Sequence, residues 1–133
     1  MGFDMTINLD FQWFAIFVAL NTIILLMLGV NISRLRVVNK VANGDGNCRP
    51  LMKAIRAHGN GVEHTSIYAM AVLALTLLGL DSLWLAVFVL SFVIARILHA
   101  YGMLTSQFLA RRIGAGVTFL LQGVSAITIL LLL

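Results

Sequence analysis

The sequence predicts an all-α integral membrane protein, a four-helix bundle with up-and-down topology. Of its 133 residues, 61% are hydrophobic and 11% are charged, whereas a soluble domain has about 25% charged residues. Four apolar blocks are separated by polar segments, and each crossing of a bilayer needs about 20 apolar residues. We therefore predict four helices, at about residues 11–38, 51–79, 82–105 and 112–133, in a single transmembrane domain over residues 1–133.

The first predicted helix follows the leader MGFDMTINLD. A cleavable signal peptide has basic residues ahead of its apolar core, but this leader has two aspartates and no Lys or Arg. We therefore expect the first apolar block to remain as a membrane helix. The segment NKVANGDGNC, residues 39–48, is rich in Gly and Asn and predicts a loop before the second helix.

The limits of the later helices follow from a few residues. Pro50 is well tolerated in a first helical turn, and Gly79 is typical of a helix C-terminus. Ser82 in GLDS is the predicted N-cap of the third helix, and the short connection makes helices 2 and 3 antiparallel neighbours. After the connection TSQFLARR, the fourth helix carries small residues that predict a face for close helix packing: Gly114, Gly116, Thr118, Gly123, Ser125 and Ala126.

All nine cationic residues lie on one side of this topology. They surround the first and third loops: Arg34, Arg36, Lys40, Arg49, Lys53, Arg56, Arg96, Arg111 and Arg112. The opposite side carries Asp4, Asp10 and Asp81 and no Lys or Arg. The positive-inside rule therefore predicts cytoplasmic loops and two non-cytoplasmic termini. This asymmetry also accounts for the pI of about 10.0, so we predict no nucleic-acid partner.

Cysteine and histidine predict no metal or redox centre. The single Cys48 excludes a disulfide within the chain, and three scattered histidines do not form a ligand cluster.

Polar side chains form a stripe on the second helix. At about 100° per residue, Arg56, Asn60 and Glu63 share one narrow face. An unpaired carboxylate is costly at the edge of the hydrocarbon, so we expect Glu63 to face protein and pair with a cation, Arg96 being the inter-helix candidate. Two interpretations remain: the pair only locks two helices together, or the stripe binds a zwitterionic polar ligand, for which arginine supplies bidentate carboxylate recognition.

The third helix carries a second polar group in ARILHAYGM. Arg96, His99 and Met103 share a face, whereas Tyr101 points elsewhere. His99 is either an acid/base group or a hydrogen-bonded helix contact, and Tyr101 suits an interfacial anchor.

With these residues assembled, the sequence resembles the MAPEG family, the membrane-associated proteins in eicosanoid and glutathione metabolism. The resemblance covers nearly the whole length: four helices, a basic first loop, SRLR at the end of the first helix, and RAHGNGVEH on the second. The family pattern Arg-x-x-x-Asn-x-x-Glu is matched by Arg56, Asn60 and Glu63. VANGDG and AIRAHGN are most similar to small bacterial members of poorly known function, which implies a bacterial inner membrane.

The resemblance implies a homotrimer that binds glutathione between subunits, near the cytoplasmic ends of the helices. It implies that the charged ends of the tripeptide are bound by Arg34, Arg56, Asn60 and Glu63. Arg96 and His99 would support this glutathione-binding set from the third helix. In catalytic members an arginine at the start of helix 4 stabilises the glutathione thiolate, and Arg112 or Arg111 matches it. We take Arg112 as the catalytic candidate and expect Arg111 to face lipid headgroups or solvent.

The sequence departs from better-known members near both polar groups. Ile113 follows Arg112 where some members have a hydroxyl residue, and His64 follows Glu63 where an aromatic ring is common. Tyr101 lies off the face of Arg96 and His99, which argues against a tyrosine contact with glutathione.

Three classes of function follow. We favour a glutathione transferase or peroxidase acting on lipophilic electrophiles, with glutathione as cosubstrate and no metal. The second class is a non-catalytic membrane protein that binds a lipid or a partner. The third, a small four-helix transporter, is disfavoured because the apolar span of the first helix, about Phe11 to Val30, offers only Gln12, Asn21 and Thr22 as polar groups and no central carboxylate. The apolar residues are too generic to identify the lipophilic substrate.

Overall fold

Four α-helices make up the computed structural model, which describes residues 9–133 and, for residues 9 and 10, the backbone alone. They are α1 (Leu9–Asn39), α2 (Arg49–Leu77), α3 (Ser82–Thr105) and α4 (Phe108–Leu132). The predicted all-α four-helix bundle is confirmed. The predictions for the leader, for Asp4 and for the Asp10 side chain lie outside the described residues.

Three helices are long and apolar enough to cross a membrane: Phe11–Asn39, Ser82–Thr105 and Phe108–Leu132. The other helix, α2, has 29 residues and is about 43 Å long at 1.5 Å per residue. Its N-terminal half carries the polar stripe of Arg56, Asn60 and Glu63. We infer that this half needs neighbouring protein, because isolated polar groups are costly in lipid.

The ends of α2 follow the expected signals. Pro50 lies in its first turn. Beyond its C-terminus, Gly79 adopts a left-handed φ of 77°, and its N–H donates to the carbonyl of Thr76 at 3.1 Å while that of Leu80 donates to Leu75 at 3.0 Å. These bonds satisfy carbonyls that the end of a helix leaves free.

The N-cap of α3 differs from the prediction by one residue. Asp81, not Ser82, caps the helix, because its carboxylate accepts a hydrogen bond from the Leu83 N–H at 2.9 Å. Ser82 is the first helical residue, and its hydroxyl accepts a hydrogen bond from the Trp13 indole at 3.1 Å. The serine therefore connects α3 to α1.

The helices α3 and α4 form the most closely packed pair. Only Ser106 and Gln107 connect them, since α4 begins at Phe108, earlier than the predicted start near residue 112. A Cβ atom on Gly102 would lie 2.8 Å from the Cα of Arg111, and one on Gly114 would lie 2.6 Å from the backbone nitrogen of His99. Any larger residue would push the two backbones apart.

The predicted small-residue face of α4 is correct in part. Gly114, Thr118 and Ser125 are buried. Within the described residues, Gly116 and Gly123 have open space where a side chain would stand, so this chain supplies no packing partner for them.

The apolar core is concentrated at the end of the bundle that contains Gly79. There Tyr68 stacks on Phe92 with ring centroids 4.0 Å apart, and Phe17 packs against both rings. Towards the other end the packing is made by smaller groups, with Ala57 and Ala100 around Leu28.

The two basic loops lie together at that other end. Lys53 near the start of α2 donates a hydrogen bond to the Ser106 hydroxyl between α3 and α4. The cations of the first and third loops therefore occupy the same end of the bundle, as the up-and-down topology requires.

Candidate functional site

A polar cavity of about 230 Å³ opens between α2 and the α3–α4 pair near the basic end. Its walls combine residues from all three helices: Arg56, Gly59, Asn60, Glu63, His99, Met103 and Arg111. Four residues of the predicted glutathione-binding set, Arg56, Asn60, Glu63 and His99, are thus brought together in a single chain.

The spacing on α2 explains how this helix presents its polar groups. Arg56, Asn60 and Glu63 follow one another at intervals of four and three residues, so they lie on one face. Asn60 is half-buried, whereas Arg56 and Glu63 are exposed. The buried residues Ala57 and Gly61 lie on the side of α2 that contacts α1, which turns the polar face towards the cavity.

Arg96 pairs with Asn60 and not with Glu63. Its Nη2 donates to the Asn60 Oδ1 at 2.7 Å, and Arg96 is only 3% exposed. The expected pairing with Glu63 is wrong, because Asn60 occupies the inner edge of the polar face and Glu63 its exposed edge. The contact locks α2 to α3 and keeps the Glu63 carboxylate available to the cavity.

His99 is fixed by the backbone of α4. Its Nδ1 lies 3.0 Å from the carbonyl oxygen of Arg111; since a carbonyl can only accept, Nδ1 carries the hydrogen. The other ring nitrogen, Nε2, is buried without a hydrogen-bond partner, as are Nε and Nη1 of Arg96. Buried nitrogen atoms of this kind ordinarily form hydrogen bonds or ionic contacts with water, an ion or a ligand.

The adjacent arginines of α4 have different surroundings. Arg111 is exposed, so a position facing headgroups or solvent stays a prediction. It also lines the cavity, and its backbone packs closely on Gly102. Arg112 lies outside the cavity, with its guanidinium 5.2 Å from the centre of the Phe108 ring, a cation–π geometry.

Arg34 also lies apart from the cavity. It is exposed on α1 and donates to the Asn31 Oδ1 at 3.1 Å. Neither Arg34 nor Arg112 lines this cavity within one chain.

Two further residues singled out in the sequence have clear positions. Tyr101 is 54% exposed and lines an apolar groove of about 490 Å³ between α1 and α3, which confirms that it points away from Arg96 and His99. His64 lies deeper on α2, with Nδ1 3.4 Å from the Gln122 Oε1 and its ring edge-on to Phe119.

Gly102 is the residue that sequence reasoning missed, whereas Arg111 was considered only as the alternative to Arg112. Gly102 allows the first turn of α4 to approach α3, and this approach places the Arg111 carbonyl beside His99. The available signal was a pair of glycines, Gly102 and Gly114, on either side of a short polar connection.

Together these features define a multi-pass membrane protein with a polar cavity at the basic end of a helical bundle. Residues 14–131 match the MAPEG family, and the chain belongs to this family. It is 30% identical over 105 residues to the "Inner membrane protein YecN" of Escherichia coli, both in strain K12 and in strain CFT073 of serotype O6:H1. The matched segment covers 79% of this chain and 80% of each relative. Comparison with solved structures gave no significant match. The resemblance to small bacterial members of the family is confirmed.

Proposed function

We propose that this protein binds glutathione in the cavity between α2, α3 and α4 and uses it as a glutathione transferase or peroxidase on lipophilic electrophiles. The proposal depends on one observation above all. A carboxylate, an amide and two guanidinium groups line the same small cavity, contributed by Glu63, Asn60, Arg56 and Arg111. Membership of the MAPEG family supports the same ligand.

These groups complement the charges of a zwitterionic tripeptide. The Arg56 and Arg111 guanidinium groups suit its carboxylates, since arginine binds a carboxylate through two parallel hydrogen bonds. Glu63 suits its ammonium group. Asn60 is already held by Arg96, so little conformational freedom is lost when the ligand binds.

The chemistry needs a thiolate. A cation beside the glutathione sulfur lowers the cost of removing its proton. The sulfur then attacks an electrophilic carbon, a C–S bond forms, and the leaving group departs with its electron pair. We assign the stabilising cation to Arg112, which faces outward from its own chain and would serve the cavity of a neighbouring subunit; Arg34 would reach that cavity in the same way.

The proposed assembly is a homotrimer in a bacterial inner membrane. Native mass spectrometry in mild detergent should show three copies of the chain. A clean monomer that still binds glutathione would contradict a site shared between subunits and would exclude roles for Arg34 and Arg112 in it.

A second candidate function is non-catalytic binding of a lipid or a partner. The apolar groove between α1 and α3 favours it, because Tyr101 is the only one of its described lining residues with a polar side chain. Its other walls are aliphatic: Leu20, Ile23, Ile24, Met27, Leu28, Val93, Ile97, Ala100 and Leu104. An acyl chain fits such a surface.

Two measurements on detergent-purified protein separate these functions. Isothermal titration should detect glutathione binding, and an assay with a chlorodinitrobenzene should detect conjugation. Arg56→Ala should weaken binding, whereas Arg36→Ala is the matched control, because Arg36 belongs to the same basic end but does not line the cavity. Binding without turnover would favour the second candidate, and absence of both would overturn the proposal.

A further inference from the structure

We propose that a second cavity, beside the glutathione candidate site, binds the phosphate of an anionic phospholipid. This cavity of about 290 Å³ lies between the start of α2 and the turn that joins α3 to α4. Its walls carry four cations and an apolar rim: Arg49, Met52, Lys53, Arg56, Gly102, Met103, Ser106, Phe108 and Arg111. We call it the cationic cavity.

The charges of the cationic cavity are of one sign. Arg49, Lys53, Arg56 and Arg111 line it, and none of the described carboxylates does. At this end of the described chain, Glu63 lines the neighbouring cavity. Asp45 is occupied in the first loop, where its carboxylate accepts the Asn47 N–H at 3.0 Å. The cations repel one another, and a bound anion relieves this repulsion.

The absence of a carboxylate decides the class of ligand. A zwitterion needs a carboxylate to pair with its ammonium group. Glu63 supplies one in the neighbouring cavity, whereas none of the described carboxylates lines the cationic cavity. A phosphate diester presents only anionic and neutral oxygens, and arginine side chains bind phosphate through paired hydrogen bonds.

The position of the cavity favours a lipid as the source of the phosphate. Arg49 and Phe108 are the first residues of α2 and α4, so the cavity lies where the helices enter the headgroup layer. Phe108 is 67% exposed and Met52 is 40% exposed, which gives the cavity an apolar rim along which acyl chains can lie. Basic pockets between membrane helices on the cytoplasmic side are known to suit anionic headgroups.

The site is pre-organised in part by a contact independent of glutathione. Lys53 donates to the Ser106 hydroxyl, and both residues line the cavity. This contact holds α2 against the α3–α4 turn. Arg56 and Arg111 line both cavities. Arg49 and Lys53 line only the cationic one and lie outside the proposed glutathione set, so their replacement tests lipid binding separately.

The test uses the full chain, purified in a neutral detergent and titrated with phosphatidylglycerol, phosphatidylcholine or inorganic phosphate while native mass spectrometry counts the bound molecules. The variant is Arg49→Gln with Lys53→Gln. Its control is Arg36→Gln with Lys40→Gln, which makes the same change of charge outside the cationic cavity. Glutathione affinity is measured on the same samples.

The wild type and the control should retain phosphatidylglycerol in preference to phosphatidylcholine. The variant should bind phosphatidylglycerol about tenfold more weakly or worse, since each basic residue near the membrane surface contributes measurably to attraction. Arg49→Gln alone should have an intermediate effect. Glutathione affinity should change little in every variant.

Three results would overturn the proposal. Equal losses in the variant and the control would show attraction by overall charge and no site. Equal retention of the two lipids would remove the preference for an anion, and binding of inorganic phosphate as tight as that of phosphatidylglycerol would assign the cavity to a free phosphorylated molecule. If the wild type prefers phosphatidylglycerol but binds no glutathione, the proposed function is contradicted and the lipid site stands.

Discussion

Asn60 links the structural and the chemical roles of the polar face on α2. Its side-chain oxygen satisfies Arg96, a guanidinium that is almost wholly buried, and the residue also lines the cavity. Glu63, three residues later, is exposed and has no such structural duty. The two residues should therefore differ in what their replacement damages.

Asn60→Leu should destabilise the fold, because it removes the acceptor of the buried Arg96. Leaving such a donor unsatisfied costs about 2–3 kcal/mol, which should appear in unfolding titrations in detergent micelles. Glu63→Gln is the matched comparison and should leave unfolding nearly unchanged while it weakens glutathione binding. If Glu63→Gln unfolds the protein and Asn60→Leu does not, the Arg96 partner has been misassigned.

Replacement of Arg112 should mainly affect turnover, whereas replacement of Arg111 should mainly affect binding. Arg112→Ala should lower kcat by about a hundredfold, as expected when one charge-stabilising donor is lost, and should raise the pH at which the bound thiol ionises. Arg111→Ala should act mainly on KM, since Arg111 lines the cavity. Steady-state kinetics and the thiolate absorbance measure both effects.

The opposite pattern of effects would change the assignment of the catalytic arginine. If Arg111→Ala abolished turnover and Arg112→Ala did not, Arg111 would be the thiolate-stabilising residue and one chain would hold the whole catalytic set. If neither replacement mattered, the mechanism of the catalytic family members would not apply to this chain.

At the scale of single residues, the sequence predicts which residues share a face of a helix but not which side chains they contact on a neighbouring helix. The spacing of Arg56, Asn60 and Glu63 is enough to place them together, because helical geometry is local. The choice of Asn60 over Glu63 as the partner of Arg96 depends on the rotation and depth of α3 against α2. Charge alone favours the carboxylate, whereas packing selects the amide.

At the scale of helices, apolar runs predict four elements but misplace one end. The predicted fourth helix begins at Arg112, where the hydrophobic run starts. The structure continues α4 back to Phe108, which is possible because arginine can extend its charged group towards headgroups while its stem packs. The helix signals at Pro50 and Gly79 were more reliable, since they act through backbone geometry.

The contact between α3 and α4 should be sensitive to a single methyl group. Gly102→Ala and Gly114→Ala each force a Cβ atom against the backbone of the other helix, and such overpacking costs about 1–3 kcal/mol. Thermal unfolding in detergent should show the loss. Gly102→Ala should in addition weaken glutathione binding, because it displaces the Arg111 carbonyl from His99.

Gly116→Ala is the control for this pair. Its site is open within the described chain, and alanine has a higher helix propensity than glycine by up to about 1 kcal/mol. Its stability should be unchanged or slightly higher. A loss as large as that of Gly114→Ala would indicate that the open surface of α4 is covered by another subunit.

At the scale of the whole molecule, the charge asymmetry predicts orientation. Reporter fusions after Leu133 should report the non-cytoplasmic side, and insertions near Gly44 in the first loop should report the cytoplasm, since the nine cations gather at that end. A cytoplasmic C-terminus would contradict this orientation and, with it, access of cytoplasmic glutathione to the cavity.

The uneven core has a consequence for how the bundle fluctuates. Large rings fill the end around Phe17, Tyr68 and Phe92, whereas at the basic end two cavities separate α2 from the α3–α4 pair. Regions with few apolar contacts open at a lower free-energy cost than well-packed ones. Backbone amides at 53–60 should therefore exchange with deuterated solvent faster than those at 68–76, and uniform exchange along α2 would refute this. With one end anchored, the other can admit and release a polar molecule while the helices stay folded.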